Sequence, residues 1–151
     1  MDDSARAIGA AYDAVRYPGT PKPLAHPERL ALLARLAGVD VEADGDARVL
    51  EIGCGTGANA VWIAHTLPDA TVVGVDLSES AIERALALAR DAGTPNVRFV
   101  AADATRLDLD PFDVVVMHGV YAWVPPAMRA GLLAAIRRLT HPRSVAFVSY
   151  N

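Results

Sequence analysis

The run Val49-Leu50-Glu51-Ile52, followed by glycine at every second position (Gly53, Gly55, Gly57), constrains this chain more than any other feature. An apolar run that breaks into alternating glycines is a buried strand entering a tight turn. Glycine has no Cβ, so it takes positive φ and lets the backbone come close to a ligand or to another segment. The pattern around this turn decides the architecture, because from residue 48 onward short apolar strands alternate with helical patterns. Strands are predicted at 48–52, 71–75, 97–101, 112–117 and 144–149, with helices at 58–67, from Ser80, and at 126–139. Val72, Val73 and Val75 form the near-continuous apolar run of a strand buried on both faces. Ser80 and Glu83 have capping-box spacing, and Gly93 stands where a helix-ending glycine belongs. Strict alternation of this kind predicts an α/β fold, a doubly wound parallel sheet with right-handed crossovers and helices on both faces.

The segment before residue 47 reads differently. It carries Tyr12, Tyr17 and the proline-rich stretch Tyr17-Pro18-Gly19-Thr20-Pro21-Lys22-Pro23; Pro27 then opens a helical pattern (Leu30, Leu33, Leu36) that Gly38 can end. We read residues 1–46 as an N-terminal helical lid segment on a core at 47–151. A length of 151 residues suits one domain, and 52% apolar with 21% charged residues is a folding composition. The net charge of −4 leaves no basic footprint, which argues against nucleic acid; Lys22 is the only lysine and the arginines are scattered. The acidic N-terminus lacks the apolar stretch of a secretory signal, and no 18-residue apolar run offers to span a membrane. One cysteine, Cys54, excludes an internal disulfide and a cysteine-rich zinc site, so no metal and a cytoplasmic location are expected.

In doubly wound sheets, ligands bind beyond the carboxyl ends of the strands, where the strand order reverses. Those ends carry the glycine turn, then Asp76, then Asp103, then His118-Gly119-Val120-Tyr121. Asp76 lies 19 residues after Gly57, enough to cross one helix and return beside the turn, where a carboxylate can accept both hydroxyls of a ribose. Two nucleosides compete. Gly53-Cys54-Gly55-Thr56-Gly57-Ala58 can be forced into the fingerprint of an NAD-type dinucleotide site, with pyrophosphate at the helix start. Glu51 and Asp103 favour instead a sulfonium nucleoside with an ammonium group, since such acids repel a pyrophosphate. Plainer readings stay open beside these: Asp103 as a turn residue, Tyr121 and Trp123 as packing anchors, His26 and His65 as surface or capping residues.

Glu51-x-Gly53-x-Gly55-x-Gly57, Asp76, Asp103 and Phe112-Asp113-Val114-Val115-Val116 together resemble the motifs of class I S-adenosylmethionine-dependent methyltransferases, over about residues 47–151. Tyr12-Asp13, Tyr17-Pro18, His26-Pro27-Glu28-Arg29-Leu30, His118 through Pro126 and the terminal Ser149-Tyr150-Asn151 are similar to bacterial members with a downstream methyltransferase regulatory domain, a group that includes protein-lysine methyltransferases. The resemblance implies a Rossmann-like sheet in the order 3-2-1-4-5, with S-adenosyl-L-methionine as cofactor. It implies that Gly53, Cys54, Gly55 and Gly57 pass the methionine portion, that Glu51 holds its ammonium, and that Asp76, with Leu77 beside it, takes the ribose. It implies that Asp103 and the Ala104 backbone read the adenine, and that the His118 carbonyl lies near the reacting methyl. Cys54 fills a variable position and is no nucleophile. Tyr121 and Trp123 are expected to line an acceptor channel, with Tyr121 able to guide a proton, and Tyr12 and Tyr17 to close over the cofactor. A protein lysine is the implied acceptor. Members of the class carry seven strands, so the five found here imply that the last two are missing. A bare fifth strand is then expected to pair with a second copy, unless further domains cover it. Against an active enzyme stands a cofactor-binding module that turns nothing over alone.

Overall fold

The computed structural model describes residues 19–150. Tyr12 and Tyr17, with the rest of the expected lid before Gly19, lie outside the described residues, as does Asn151. Five strands, β1 (Arg48–Ile52), β2 (Thr71–Asp76), β3 (Val97–Ala101), β4 (Phe112–Met117) and β5 (Thr140–Val148), all pair in parallel in the expected order β3-β2-β1-β4-β5. The helices are α1 (Pro27–Leu36), α2 (Ala58–Thr66), α3 (Glu79–Ala92) and α4 (Pro126–Arg138), with short 3-10 turns at Pro23–Ala25 and Ala104–Arg106.

Alternation along each strand sorts the core into two layers. Val49, Val72, Val114 and Val116 pack on one face against Ile63 of α2 and Ile82 and Ala85 of α3. Leu50, Val73, Val115 and Met117 pack on the other against Leu132, Ile136 and Leu139. Both faces being covered, β2 and β4 carry near-continuous apolar runs, and the apolar run of β1 is broken only by Glu51. The chain leaves β1 towards β2 on one side and reaches β4 on the other, so a crevice opens above β1.

Four local expectations are corrected. β5 begins at Thr140, directly after α4, four residues before the predicted start: Phe112 pairs with Thr140 and Val114 with Val145, and the intervening residues bulge. Ser144 holds the bulge by donating to the Phe112 carbonyl at 2.7 Å and accepting from the His141 N–H at 2.8 Å. These polar residues, with Pro142 among them, carry no strand signature in sequence. Nor is the β5 edge bare along its first half, where the Arg143 carbonyl accepts the Glu42 N–H at 2.9 Å and the Arg143 guanidinium pairs with Asp40 and Glu42. Helix α3 is capped by Ser78, whose Oγ accepts from the Ala81 N–H at 3.0 Å, and Ser80 falls inside its first turn. The Asp76 carboxylate accepts the Ser78 N–H at 3.0 Å and so fixes where the helix begins.

On α1 only Leu30 of the predicted leucine stripe is buried, with Ala31; Leu33 and Leu36 are 49% and 76% exposed. This helix meets the core chiefly through its start, where the His26 ring lies edge-on to Trp62 and its Nε2 is 3.0 Å from Thr66 Oγ1.

Gly57 shows why the turn needs glycine for packing as well as for its φ of 79°. A Cβ there would stand 2.7 Å from both Ala85 Cβ and Phe99 Cζ. Gly55, at φ 52°, has nothing within 4 Å of such a Cβ. Gly57→Ala is therefore expected to lower the unfolding free energy by at least about 2 kcal/mol, overpacking added to left-handed strain, and Gly55→Ala by about 1 kcal/mol from strain alone. Urea unfolding checks the order; equal losses would refute it.

Candidate functional site

Beyond the carboxyl ends of β1 to β4 lies a cleft of about 360 Å³, within the range of small-ligand sites. Of the residues singled out in sequence, Glu51, Gly53, Cys54, Gly55, Asp76, Leu77, Asp103, Ala104 and His118 all line it. Gly57 does not: it starts α2 and packs against α3 and β3 beneath the turn. Tyr121 does not either, its ring lying under the Arg129 guanidinium at 5.5 Å and beside Tyr150. Trp123 does line the cleft and is 67% exposed.

The turn is folded back onto the end of β2. The Val75 carbonyl accepts from Gly53 N–H at 2.7 Å and from Cys54 N–H at 3.1 Å, Asp76 Oδ2 accepts from Gly55 N–H at 2.8 Å, and the Cys54 carbonyl takes the Gly57 N–H at 2.9 Å. Four of the turn's donors are thus spent inside the protein. A Cβ on Gly53 would run into Val120 Cγ2 at 2.2 Å, so glycine here lets the loop after β4 close on the turn.

Glu51 is 4% exposed. Its Oε1 accepts from Asn59 Nδ2 at 2.9 Å, while its Oε2 is buried with no hydrogen-bond partner among the described residues. Burial is the main cause that pushes its carboxyl up to about 7; Asn59, the Ala60 amide and Lys22 oppose the shift, and Asp76 adds to it. The Cys54 thiol is likewise raised by burial, then by Glu51 and Asp76, which keeps it protonated and unreactive.

Each oxygen of Asp76 accepts one backbone N–H, from Gly55 and from Ser78, and each retains a lone pair for a hydroxyl. Asp103 caps the Ala104–Arg106 turn, its Oδ1 accepting from Thr105 N–H at 2.9 Å and Thr105 Oγ1 at 2.8 Å. The turn reading of Asp103 is therefore structural fact, and its position in the cleft comes in addition. Val124, Met128 and Leu132 close this end with apolar surface. At the opposite side the His118 ring lies parallel to Phe147, with centroids 6.2 Å apart. Burial first and Lys22 second hold its imidazole below the ordinary range, so it is neutral at neutral pH.

Sequence reasoning missed Asn59 and Lys22. Asn59 Oδ1 accepts the Lys22 N–H at 2.7 Å, which joins residues 19–22 to Glu51 through one amide side chain. The signal for Asn59 was a buried polar residue inside an otherwise apolar helix; Lys22 offered none.

Comparison with known proteins now gives this geometry its class. The methyltransferase domain family matches residues 49–143, more than half of the chain. An uncharacterized protein of Rickettsia prowazekii is 38% identical over 93% of this chain and 57% of its own length; another from the same organism is 34% identical over 93% and 26%. Malonyl-[acyl-carrier protein] O-methyltransferase of Bacillus anthracis is 33% identical over 68% of this chain and 36% of its own length. Among solved structures, PKMT2 from Rickettsia typhi in complex with AdoHcy is 36% identical with a TM-score of 0.86, over 90% of this chain and 26% of that one. The chain belongs to the methyltransferase domain family, with the fold of class I S-adenosylmethionine-dependent methyltransferases. It spans about half and a quarter of the lengths of the two Rickettsia prowazekii relatives.

The state of Glu51 predicts a pH dependence. Its folded value of about 7 exceeds the ordinary 4.5, so the folded protein keeps this proton longer than the unfolded chain. Stability contributed at this site is present at low pH and is lost as pH rises from about 4.5 through about 7. Thermal unfolding of Glu51→Gln is expected to fall less between pH 5 and pH 8 than that of the wild type; parallel pH profiles would contradict the assignment.

Proposed function

We propose that the chain is the cofactor-binding core of an S-adenosylmethionine-dependent methyltransferase whose acceptor is a protein lysine side chain. The observation that carries the cofactor is the buried, unpartnered Glu51 Oε2 at the floor of the cleft. An ammonium group on the ligand satisfies it and supplies the opposite charge, whereas a dinucleotide pyrophosphate meets three acids and a turn whose donors are largely spent. Bound S-adenosylmethionine supplies an electrophilic methyl carbon on a sulfonium.

The residues divide the rest of the work. Glu51 receives the ammonium, Asp76 the ribose hydroxyls, and Ala104 with Leu77, Val124 and Met128 an apolar bed for the adenine edge that Asp103 borders. Gly53, Cys54 and Gly55 let the backbone run beside the methionine portion. No covalent catalysis by a side chain is needed, since alignment alone can supply roughly 7–11 kcal/mol of a displacement barrier. His118, neutral and at the cleft wall, can accept a proton from an ammonium acceptor, and Trp123 offers an aromatic face to a cation at the mouth. Similarity to PKMT2 favours a protein acceptor, and lysine is the acceptor that the sequence resemblance implies. The lid role of residues 1–46 is part of the same proposal, supported by Lys22 reaching the cleft wall. A cytoplasmic location goes with it, and no described helix is long and apolar enough to cross a membrane. So does association at β5: beyond the bulge no strand covers its far side among the described residues, leaving room for a second copy or a further domain.

Calorimetric titration tests the cofactor. S-adenosylhomocysteine is expected to bind and NAD not to, with Asp76→Ala losing binding because the ribose acceptor and the tie to Gly55 go together. Incubation with labelled S-adenosylmethionine and protein acceptors should place label on lysine. Binding without transfer would leave a cofactor-binding module, and NAD binding would overturn the reading.

A further inference from the structure

The proposed ligand carries a carboxylate on the same carbon as its ammonium, so a site that draws the ammonium to Glu51 draws the carboxylate there too. Glu51, Asp76 and Asp103 all repel it. On the turn, the N–H groups of Gly53, Cys54, Gly55 and Gly57 already serve Val75, Asp76 and Cys54, which leaves the uncharged amides of Thr56 and Ala58 to set against three acids. No arginine lines the cleft among the described residues; the basic side chains that do are Lys22 and the neutral His118.

We propose that Lys22 is the specificity residue for the amino-acid end of the ligand: its ammonium binds the ligand carboxylate while Glu51 binds the ligand ammonium, and Asn59 holds the two in register. The inference rests on the cofactor reading and deepens it. The linkage is direct. Asn59 accepts the Lys22 backbone N–H at 2.7 Å and donates to Glu51 Oε1 at 2.9 Å, which leaves Glu51 Oε2 unpartnered on a carboxylate 4% exposed. The segment carrying Lys22 is seated on the turn itself, since a Cβ on Gly19 would stand 2.4 Å from Thr56 Oγ1 and 3.1 Å from Ala58 Cβ. Lys22 Nζ donates to Thr20 Oγ1 at 2.9 Å, a contact that uses one of its three hydrogens. A carboxylate arriving beside Glu51 then meets a cation anchored through its own backbone, and the zwitterion is read at both charges.

The test compares two ligands that share the adenosine and differ in the amino-acid end. S-adenosylhomocysteine has the zwitterion; 5′-methylthioadenosine lacks it. Lys22→Met is expected to weaken S-adenosylhomocysteine about tenfold or more, the worth of one charge-assisted contact, and to leave methylthioadenosine within about twofold. Lys22→Arg should keep most of the affinity. Unchanged methylthioadenosine binding also shows that the variant is folded. Equal loss for both ligands, or no loss for either, overturns the role of Lys22 while the cofactor reading stands. A wild type that binds neither ligand overturns the cofactor reading itself. Lys22 is the only lysine, and peptide mapping after incubation with S-adenosylmethionine should find it unmodified; methyl located on Lys22 itself would make it an acceptor and refute the clamp.

Discussion

The hydrogen bonds that fold the turn after β1 onto the end of β2 set the terms for the whole cleft. One carbonyl, that of Val75, takes two turn amides, and one carboxylate, that of Asp76, takes a third while capturing the N–H of Ser78. The same bonds that close the turn also place the start of α3 and hold Asp76 at the rim. They leave a glycine-rich loop that looks in sequence like an anion cradle but has its amides pointed inward. Helix N-termini and glycine loops bind phosphate through unspent N–H groups. Here four of the turn's amides are spent, and Glu51, Asp76 and Asp103 line the cleft.

That difference turns the electrostatics towards cations. Glu51 lies under the turn in a place where ionisation is opposed by burial and only partly compensated by Asn59, the Ala60 amide and Lys22. A buried carboxylate with one unsatisfied oxygen is a standing cost to the free protein. On the proposed reading a ligand ammonium removes it, so part of the binding energy is recovered desolvation and not new contact. The same account explains why Cys54, between two glycines and beside two acids, is chemically quiet: the field that suits a cation suppresses a thiolate.

Much of this was legible in the sequence, for a reason specific to parallel sheets. Strand ends lie side by side, so Glu51, Asp76, Asp103 and His118 could be assigned to one crevice without knowledge of any side-chain contact. What the sequence did not show depends on contacts between elements. Gly57 reads as a ligand residue because it shares the spacing of Gly53 and Gly55, yet Phe99 and Ala85 occupy the space its side chain would need. Tyr121 reads as a channel residue from its place after β4, but Arg129 and Tyr150 engage it away from the cleft. Leu33 and Leu36 have helical spacing and face outward, because α1 touches the core through His26, Leu30 and Ala31 near its start. The early start of β5 was hidden by a bulge whose residues pair irregularly, for which a period of two has no signature.

Lys22 and Asn59 mark the limit of reading by motif. Neither belongs to the strand-end pattern, and 37 residues separate them, so only the folded chain shows that one side chain bridges the N-terminal segment and the buried acid. The bridge also changes what the segment before the core can do. A loop that merely covered a site would tolerate any polar residue; one tied through Asn59 to Glu51 feels the charge state and occupancy of that carboxylate. On the proposed reading, the segment at residues 19–22 and the buried acid therefore read the ligand's amino-acid end together, through the hydrogen bonds that Asn59 makes to both.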